Sequence, residues 1–202
     1  MRIENLQIIT PWSAVLDNAR FTMNKPDINK EPTDSFKEQI LISEHSPIRS
    51  LIVKWDFVDI PYFVMVHLVR HHIGVEKFVT TSRSDRTGIS RDELKQTDLV
   101  SMRCEANVQA LINISKVRLC YQASKETRQA IELLKLALRQ SDPKIADMLV
   151  PSCVYRCGCP EPNSCGICDN ITPFTKIDLT DIATRYSLYN NYFYTKNKKE
   201  VI

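Results

Sequence analysis

Apolar residues recur along the chain at two periods, and the switches between them divide it into elements. Residues 1–10, with Ile3, Leu6, Ile8 and Ile9 apolar, read as a short strand. A helix is predicted over 12–20, then a proline-containing loop over 24–33. A second helix over 34–42 groups Phe36, Ile40 and Leu41 behind Thr33 or Asp34 as N-cap. Ser46-Pro47 breaks the chain. Residues 51–58 then alternate, Val53, Trp55 and Phe57 on one side and Lys54 and Asp56 on the other, which predicts a strand. Asp59-Ile60-Pro61 suits a turn that puts proline at the first position of a helix over 62–72, ended by Gly74.

Residues 76–83 are rich in β-branched and aromatic side chains, and the polar stretch 84–100 reads as a mobile loop. Two long helices follow. One spans 105–119 with Val108, Leu111, Ile112, Ser115 and Leu119 at helical spacing; the other spans 124–139 with Ile131, Leu134 and Leu138 on its apolar side. Ser141-Asp142-Pro143 stops the second and starts a short helix through Val150. The last thirty or so residues show no clear periodicity, and no internal repeat is present. The expectation is a main domain over 1–150 with a cysteine-rich C-terminal extension over 151–202.

Composition narrows the class. The 202 residues are 43% hydrophobic and 25% charged, as in an ordinary globular protein with one real core. The longest apolar stretch, 60–69, is interrupted by His67 and too short to span a bilayer. The start Met1-Arg2-Ile3-Glu4 has no signal-peptide character, so a cytoplasmic location is expected. The net charge of +3 is spread thinly; its one basic run, Lys196-Asn197-Lys198-Lys199, reads as a solvated tail, and no nucleic-acid partner is expected.

Two groups of polar residues carry candidate chemistry. His67, Arg70 and His71 stand at i, i+3 and i+4, with His72 beside them, so an arginine flanked by imidazoles marks one helix end. Such a group suits a phosphate or an electron-rich ring. His67 and His71 also have the spacing of a metal pair, without the glutamate of the HExxH motif or an evident third ligand; a plain solvated helix end stays open as well. On the next long helix Asn107 and Arg118 lie eleven residues, or three turns, apart and are expected to point the same way. Gln109 and Asn113 form an i, i+4 pair on another side.

The run from Ile60 through Ile73, with Arg70-His71-His72 followed by Thr81-Ser82-Arg83, resembles the motif region of the flavin-dependent thymidylate synthases. The family's third basic residue is His72 here and its serine is Thr81. Asn107, Asn113 and Val117-Arg118, followed by Ala123 and Glu126, match a second family block without a gap, with Gln109 where the family has arginine. Weaker matches are Ala19-Arg20-Phe21-Thr22 and Ser46-Pro47, where Arg49 replaces an acidic residue. The resemblance implies an α+β fold, an antiparallel sheet packed with long helices, assembled as a homotetramer. It implies FAD held by Thr22, Ser46, Arg70, His71, His72, Asn107, Gln109 and Asn113. It further implies dUMP met by His67, Arg70, Thr81, Ser82, Arg83 and Arg118, with Arg118 polarising the base as the catalytic residue. Methylenetetrahydrofolate and NADPH would be co-substrates. Two other readings stay open: a relative making another 5-substituted pyrimidine nucleotide, such as the hydroxymethyl form, and a non-catalytic zinc-stabilised protein that binds nucleotides or nucleic acid.

Five of the seven cysteines, Cys153, Cys157, Cys159, Cys165 and Cys168, fall within sixteen residues. The glycines and prolines between them suit a knuckle, and Cys157, Cys159, Cys165 and Cys168 are the expected ligands of a structural zinc. An iron–sulfur cluster or reduced, unliganded thiols are the alternatives. Cys104 and Cys120 are expected on helices, as core residues.

Overall fold

The computed structural model describes residues 1–167 and 180–198. Strands β1 (Arg2–Ile8), β2 (Ile52–Pro61), β3 (Val75–Val79) and β4 (Leu99–Asn107) form an antiparallel sheet in the order β1-β2-β4-β3. Among the described residues the helices are α1 (Trp12–Phe21), α2 (Asp34–Ile42), α3 (Tyr62–Val69), α4 (Ser84–Thr87), α5 (Val108–Arg118), α6 (Lys125–Ser141), α7 (Pro143–Asp147), α8 (Ser152–Arg156) and α9 (Ile182–Lys196). The expected α+β architecture is present. Among the described residues no helix is long and apolar enough to cross a membrane.

Strand β2 shows why the sheet has two unlike faces. Val53, Trp55, Phe57 and Ile60 are buried, whereas Lys54 and Asp56 point to the other side. A strict alternation would bury residue 59 instead of residue 60. A bulge between Phe57 and Ile60, with Asp59 at φ 57°, restores the inward set, and aspartate tolerates that left-handed conformation. On the inner face Trp55, Phe57, Met102 and Cys104 meet Leu68 of α3, Leu111 of α5 and Leu134 of α6 around a void of only about 20 Å3. Each such aromatic contributes about 1.5–3 kcal/mol by burial. Part of that offsets Trp55 Nε1, buried with no acceptor among the described residues, which costs about 1–3 kcal/mol. The outer face is a charge ladder: Arg103 grips Asp56 through two bonds (2.7 and 2.8 Å), and Lys54 pairs with Glu105 at 3.2 Å.

Several sequence expectations are corrected. Residues 99–107 are a strand, not the end of a loop and the start of a helix; Val100, Met102, Cys104 and Ala106 alternate inward, and Cys104 is therefore a core residue on a strand. The following helix begins at Val108, with Asn107 as its N-cap. The loop over 84–98 contains α4 and a 310 turn at Arg91–Glu93. Strand β2 runs through Pro61, so the proline caps α3 from outside it. The short helix after Pro143 ends at Asp147, before Val150. The C-terminal stretch without visible period holds the fifteen-residue helix α9.

That last helix docks through polar atoms. Lys135, fully buried on α6, donates to Ala146 O (2.7 Å), Leu149 O (3.0 Å) and Asn190 Oδ1 (2.7 Å). Its ammonium sits 5.2–5.5 Å from the rings of Tyr189, Phe193 and Tyr194. Arg185 donates to Val154 O and Tyr155 O, satisfying carbonyls at the end of α8.

Candidate active site

Helix α3 is anchored by Val64, Met65 and Leu68 and delivers its polar end onto α5. Its first N–H groups are satisfied from the loop before β4, Tyr62 N donating to Asp98 O (2.8 Å) and Phe63 N to Gln96 O (3.1 Å). The helix ends at Val69, three residues short of the expectation, with Arg70 as C-cap. His67, Arg70 and His71 therefore do not share a helix face. Arg70 and His72 are exposed, and the half-buried His71 turns toward α5. Gly74, at φ +72°, shapes the return: a Cβ there would stand 2.4 Å from Asn107 Nδ2, so only glycine lets the 70–74 link lie against the head of α5.

Arg118 closes the other end of α5. Its Nε donates to His71 Nε2 (2.8 Å) and its Nη2 to His67 O (3.1 Å). Behind it, His67 Nδ1 lies 2.8 Å from Thr127 Oγ1, a hydroxyl on a fully buried residue of α6. Lys77 donates to His71 O. Because His71 Nε2 accepts a bond, it carries no proton. Burial first, then the charges of Arg118, Lys77 and Arg70, pushes His71 down to about 4, so the ring is neutral at pH 7. No carboxylate bonds Arg118 among the described residues. The result is a guanidinium fixed by uncharged acceptors and left with its full charge. It lines a 450 Å3 cavity.

The other expected residues are dispersed. Asn107 and Arg118 stand at opposite ends of α5: the asparagine is the N-cap, its Oδ1 accepting from Ala110 N (2.8 Å), and Arg118 is the last helical residue. Gln109 donates to Glu44 Oε2 (2.6 Å) and, at 3.4 Å, to Asn113 Oδ1. Lys116 shares the same glutamate. Thr22, which donates to Ala19 O, and Ser46, which begins a 310 turn, are exposed. Thr81, Ser82 and Arg83 line a separate open cleft of 830 Å3 with Tyr62 and Arg91. There Arg83 is held by Asp85 through bonds of 3.0 and 2.7 Å. The 450 Å3 cavity and this cleft share no lining residue.

The cysteines regroup. Cys157 is exposed in a left-handed turn after α8 and does not line the 450 Å3 cavity. Cys159 and Cys165 do line it, together with the buried Cys153 and with Cys120, which is half-exposed and not the core residue expected. Cys168 lies outside the described residues, and among those described no three metal-ligating side chains are gathered around a common point. Thr127, Lys77 and Glu44, all bonded to expected site residues, went unnoticed in the sequence because nothing in their local spacing marks them.

No protein-family profile matches the chain, and no curated protein matches it in sequence. Solved structures do. The flavin-dependent thymidylate synthase ThyX from Helicobacter pylori, complexed with FAD and dUMP, superposes with a TM-score of 0.60 at 13% identity, covering 74% of this chain and 100% of that one. The UMP/dUMP methylase PolB from Streptomyces cacaoi, bound with 5-Br dUMP, gives a TM-score of 0.56 at 14% identity over 72% of this chain and 94% of its own. The chain has the fold shared by these two nucleotide-modifying enzymes.

Proposed function

We propose that the chain is a flavin-dependent enzyme acting on carbon 5 of a uridine nucleotide. The observation that carries the reading is Arg118, a guanidinium that lines a cavity and has no carboxylate partner among the described residues, in a fold of which one solved example is complexed with FAD and dUMP. A permanently cationic fork stabilises negative charge growing on a pyrimidine carbonyl oxygen and so raises the electrophilicity of the ring. In the finer form of the proposal the one-carbon unit comes from methylenetetrahydrofolate and the product is dTMP. A bound FAD would supply hydride chemistry for bringing the transferred unit to the methyl level, with NADPH as the source of its electrons.

The polar set fits such a cofactor. Arg70, His72, Asn113, Ser46 and Thr22 are exposed and would hold its phosphates and ring. His71, Asn107 and Gln109 are bonded to protein groups and would shape the site from behind. Thr81, Ser82 and Arg83 would reach the nucleotide from a neighbouring copy, because their cleft is separate from the Arg118 cavity. The assembly proposed is a homotetramer. It is supported by the exposed apolar stripe of Tyr62, Val66 and Val69 on α3, continued by Ile73 at 83% exposure. A zinc ion carries no part of this mechanism.

Flavin absorbance in the purified or FAD-reconstituted protein, followed by product analysis with dUMP and methylenetetrahydrofolate, tests the reading. A colourless protein that cannot take up FAD removes it in favour of a non-catalytic nucleotide-binding protein. A second reading, a different pyrimidine substrate or product, is favoured by the likeness to a UMP/dUMP methylase and by Gln109 and His72 standing where the resembling family has arginines. UMP run beside dUMP, with the product's C5 substituent identified by mass, separates the two.

A further inference from the structure

The cavity at Arg118 is built from two parts of the chain. Arg118, Cys120 and Gln122 come from the end of α5 and the link to α6; Arg156, Cys159 and Cys165 come from the cysteine-rich segment. The two walls are tied together. Helix α8 packs on α5, and Gln122 Nε2 donates to Asn163 O at 2.8 Å. Cys157, at φ 57°, turns the chain sharply after Arg156, and this brings Cys159 back to the rim.

The charge of this cavity is one-sided. Arg118 bonds only neutral acceptors. Arg156 is exposed, and no described carboxylate pairs with it. Lys116, the third cation on the wall, is neutralised by Glu44. Glu161 is the one acid among the lining residues. Two guanidinium groups thus face one carboxylate across a space of 450 Å3, within the roughly 300–1,000 Å3 usual for small-molecule sites. A cavity of that size and sign favours an anion, and a guanidinium fork pairs two-to-two with phosphate oxygens.

We propose that the cysteine-rich segment is a wall of the nucleotide site and that Arg156 binds the phosphate of the nucleotide whose base meets Arg118. This rests on the function proposed above and adds a ligand residue to it. Arg156 acts from the same chain as Arg118, beside whatever a second copy contributes. Four thiols line the cavity, Cys120, Cys153, Cys159 and Cys165, and this has a practical consequence: a bound nucleotide shields those that reagents can reach.

The test uses the full-length, FAD-loaded protein and an alkylating maleimide read out by mass per cysteine. With dUMP present, Cys159 and Cys165 should be labelled more slowly, while Cys157, outside the cavity, keeps its rate. Arg156→Gln should weaken dUMP binding, measured calorimetrically, by roughly tenfold or more, leave flavin content unchanged, and be partly rescued by Arg156→Lys. Equal labelling with and without dUMP, or unaltered dUMP affinity in Arg156→Gln, overturns the proposal. So does protection by FAD alone in the apoprotein, which assigns the cavity to the cofactor's phosphates. A protein that binds dUMP with these thiols unprotected keeps the general function and loses this inference; one that binds neither FAD nor dUMP loses both.

Discussion

Arg118, half-buried, and Lys135, fully buried, are both held by groups that carry no charge, yet their surroundings differ. Arg118 rests on an imidazole nitrogen and a carbonyl and still borders a cavity. Lys135 rests on two carbonyls and an amide oxygen and is sealed among aromatic rings. A cation on neutral acceptors keeps its field. Where the field opens on a cavity it is available to a ligand; where it is closed in, its only use is to fasten carbonyls and a helix together. The first arrangement leaves a charge within reach of a ligand, the second fastens the fold.

Substitutions that exchange these outcomes would break the comparison. The largest effect is expected from Arg118→Ala, which should lower turnover by about 100-fold or more, as loss of a group that stabilises developing charge does, while flavin absorbance and thermal stability stay near wild type. Unchanged turnover would remove the base-polarising role. Lys135→Ala should do the reverse, costing roughly 2–4 kcal/mol in denaturant unfolding through a cavity and three stranded acceptors. Whatever protein remains folded should keep its nucleotide affinity.

Acidity sharpens the contrast, because the two sites answer to different pH windows. Burial holds Lys135 at about 7, below its ordinary 10.5, so between those values the unfolded chain carries more protons than the folded one. Its contribution is least favourable below pH 7 and improves as pH rises through that window. The stability difference between wild type and Lys135→Met should follow this course and be flat below pH 7. His71, held at about 4 against an ordinary 6.5, has the same sign in another range. What it contributes is present above pH 6.5 and lost as pH falls toward 4. Nucleotide affinity should then drop near pH 4, where a protonated His71 can no longer accept from Arg118; a constant affinity down to pH 4 would disconnect the two residues.

The smallest change is expected at Arg83 and Asp85, 57% and 59% exposed. Breaking this pair with Asp85→Ala should alter stability by no more than about 0.5 kcal/mol. If Arg83 meets a phosphate from a neighbouring copy, its release should strengthen dUMP binding in the assembled protein. Weaker binding in that variant would argue against the role.

How much of this was legible in the sequence depended on where each element finds its partners. β2 and α6 announce themselves, because their buried faces are made of large apolar side chains at a regular period. β4 was hidden: Cys104 and Ala106 are small, Arg103 and Glu105 are neutralised across the sheet, and the strand runs into α5 with no glycine or proline between. α9 was hidden for a different reason. Its buried face includes Arg185 and Asn190, whose polar atoms are satisfied by α6, α7 and α8. Hydropathy shows poorly a helix whose inward face mixes Tyr186, Tyr189 and Phe193 with an arginine and an asparagine. At the site, Arg118 and His71 stood out as residue types in a recognisable order. Their contact, across 47 positions, and the backing of His67 by Thr127 needed the fold.

The three acceptors around Lys135 also set an order of events during synthesis. Two of them lie at Ala146 and Leu149, but the third is Asn190, close to the end of the chain. Until α9 has left the ribosome, the ammonium on α6 has its two carbonyls but lacks the amide oxygen and the aromatic cover that the helix supplies. The interior beside α6 therefore stays open until α9 arrives, and a stop before residue 182 should yield a nascent chain that chaperones and proteases treat as unfinished.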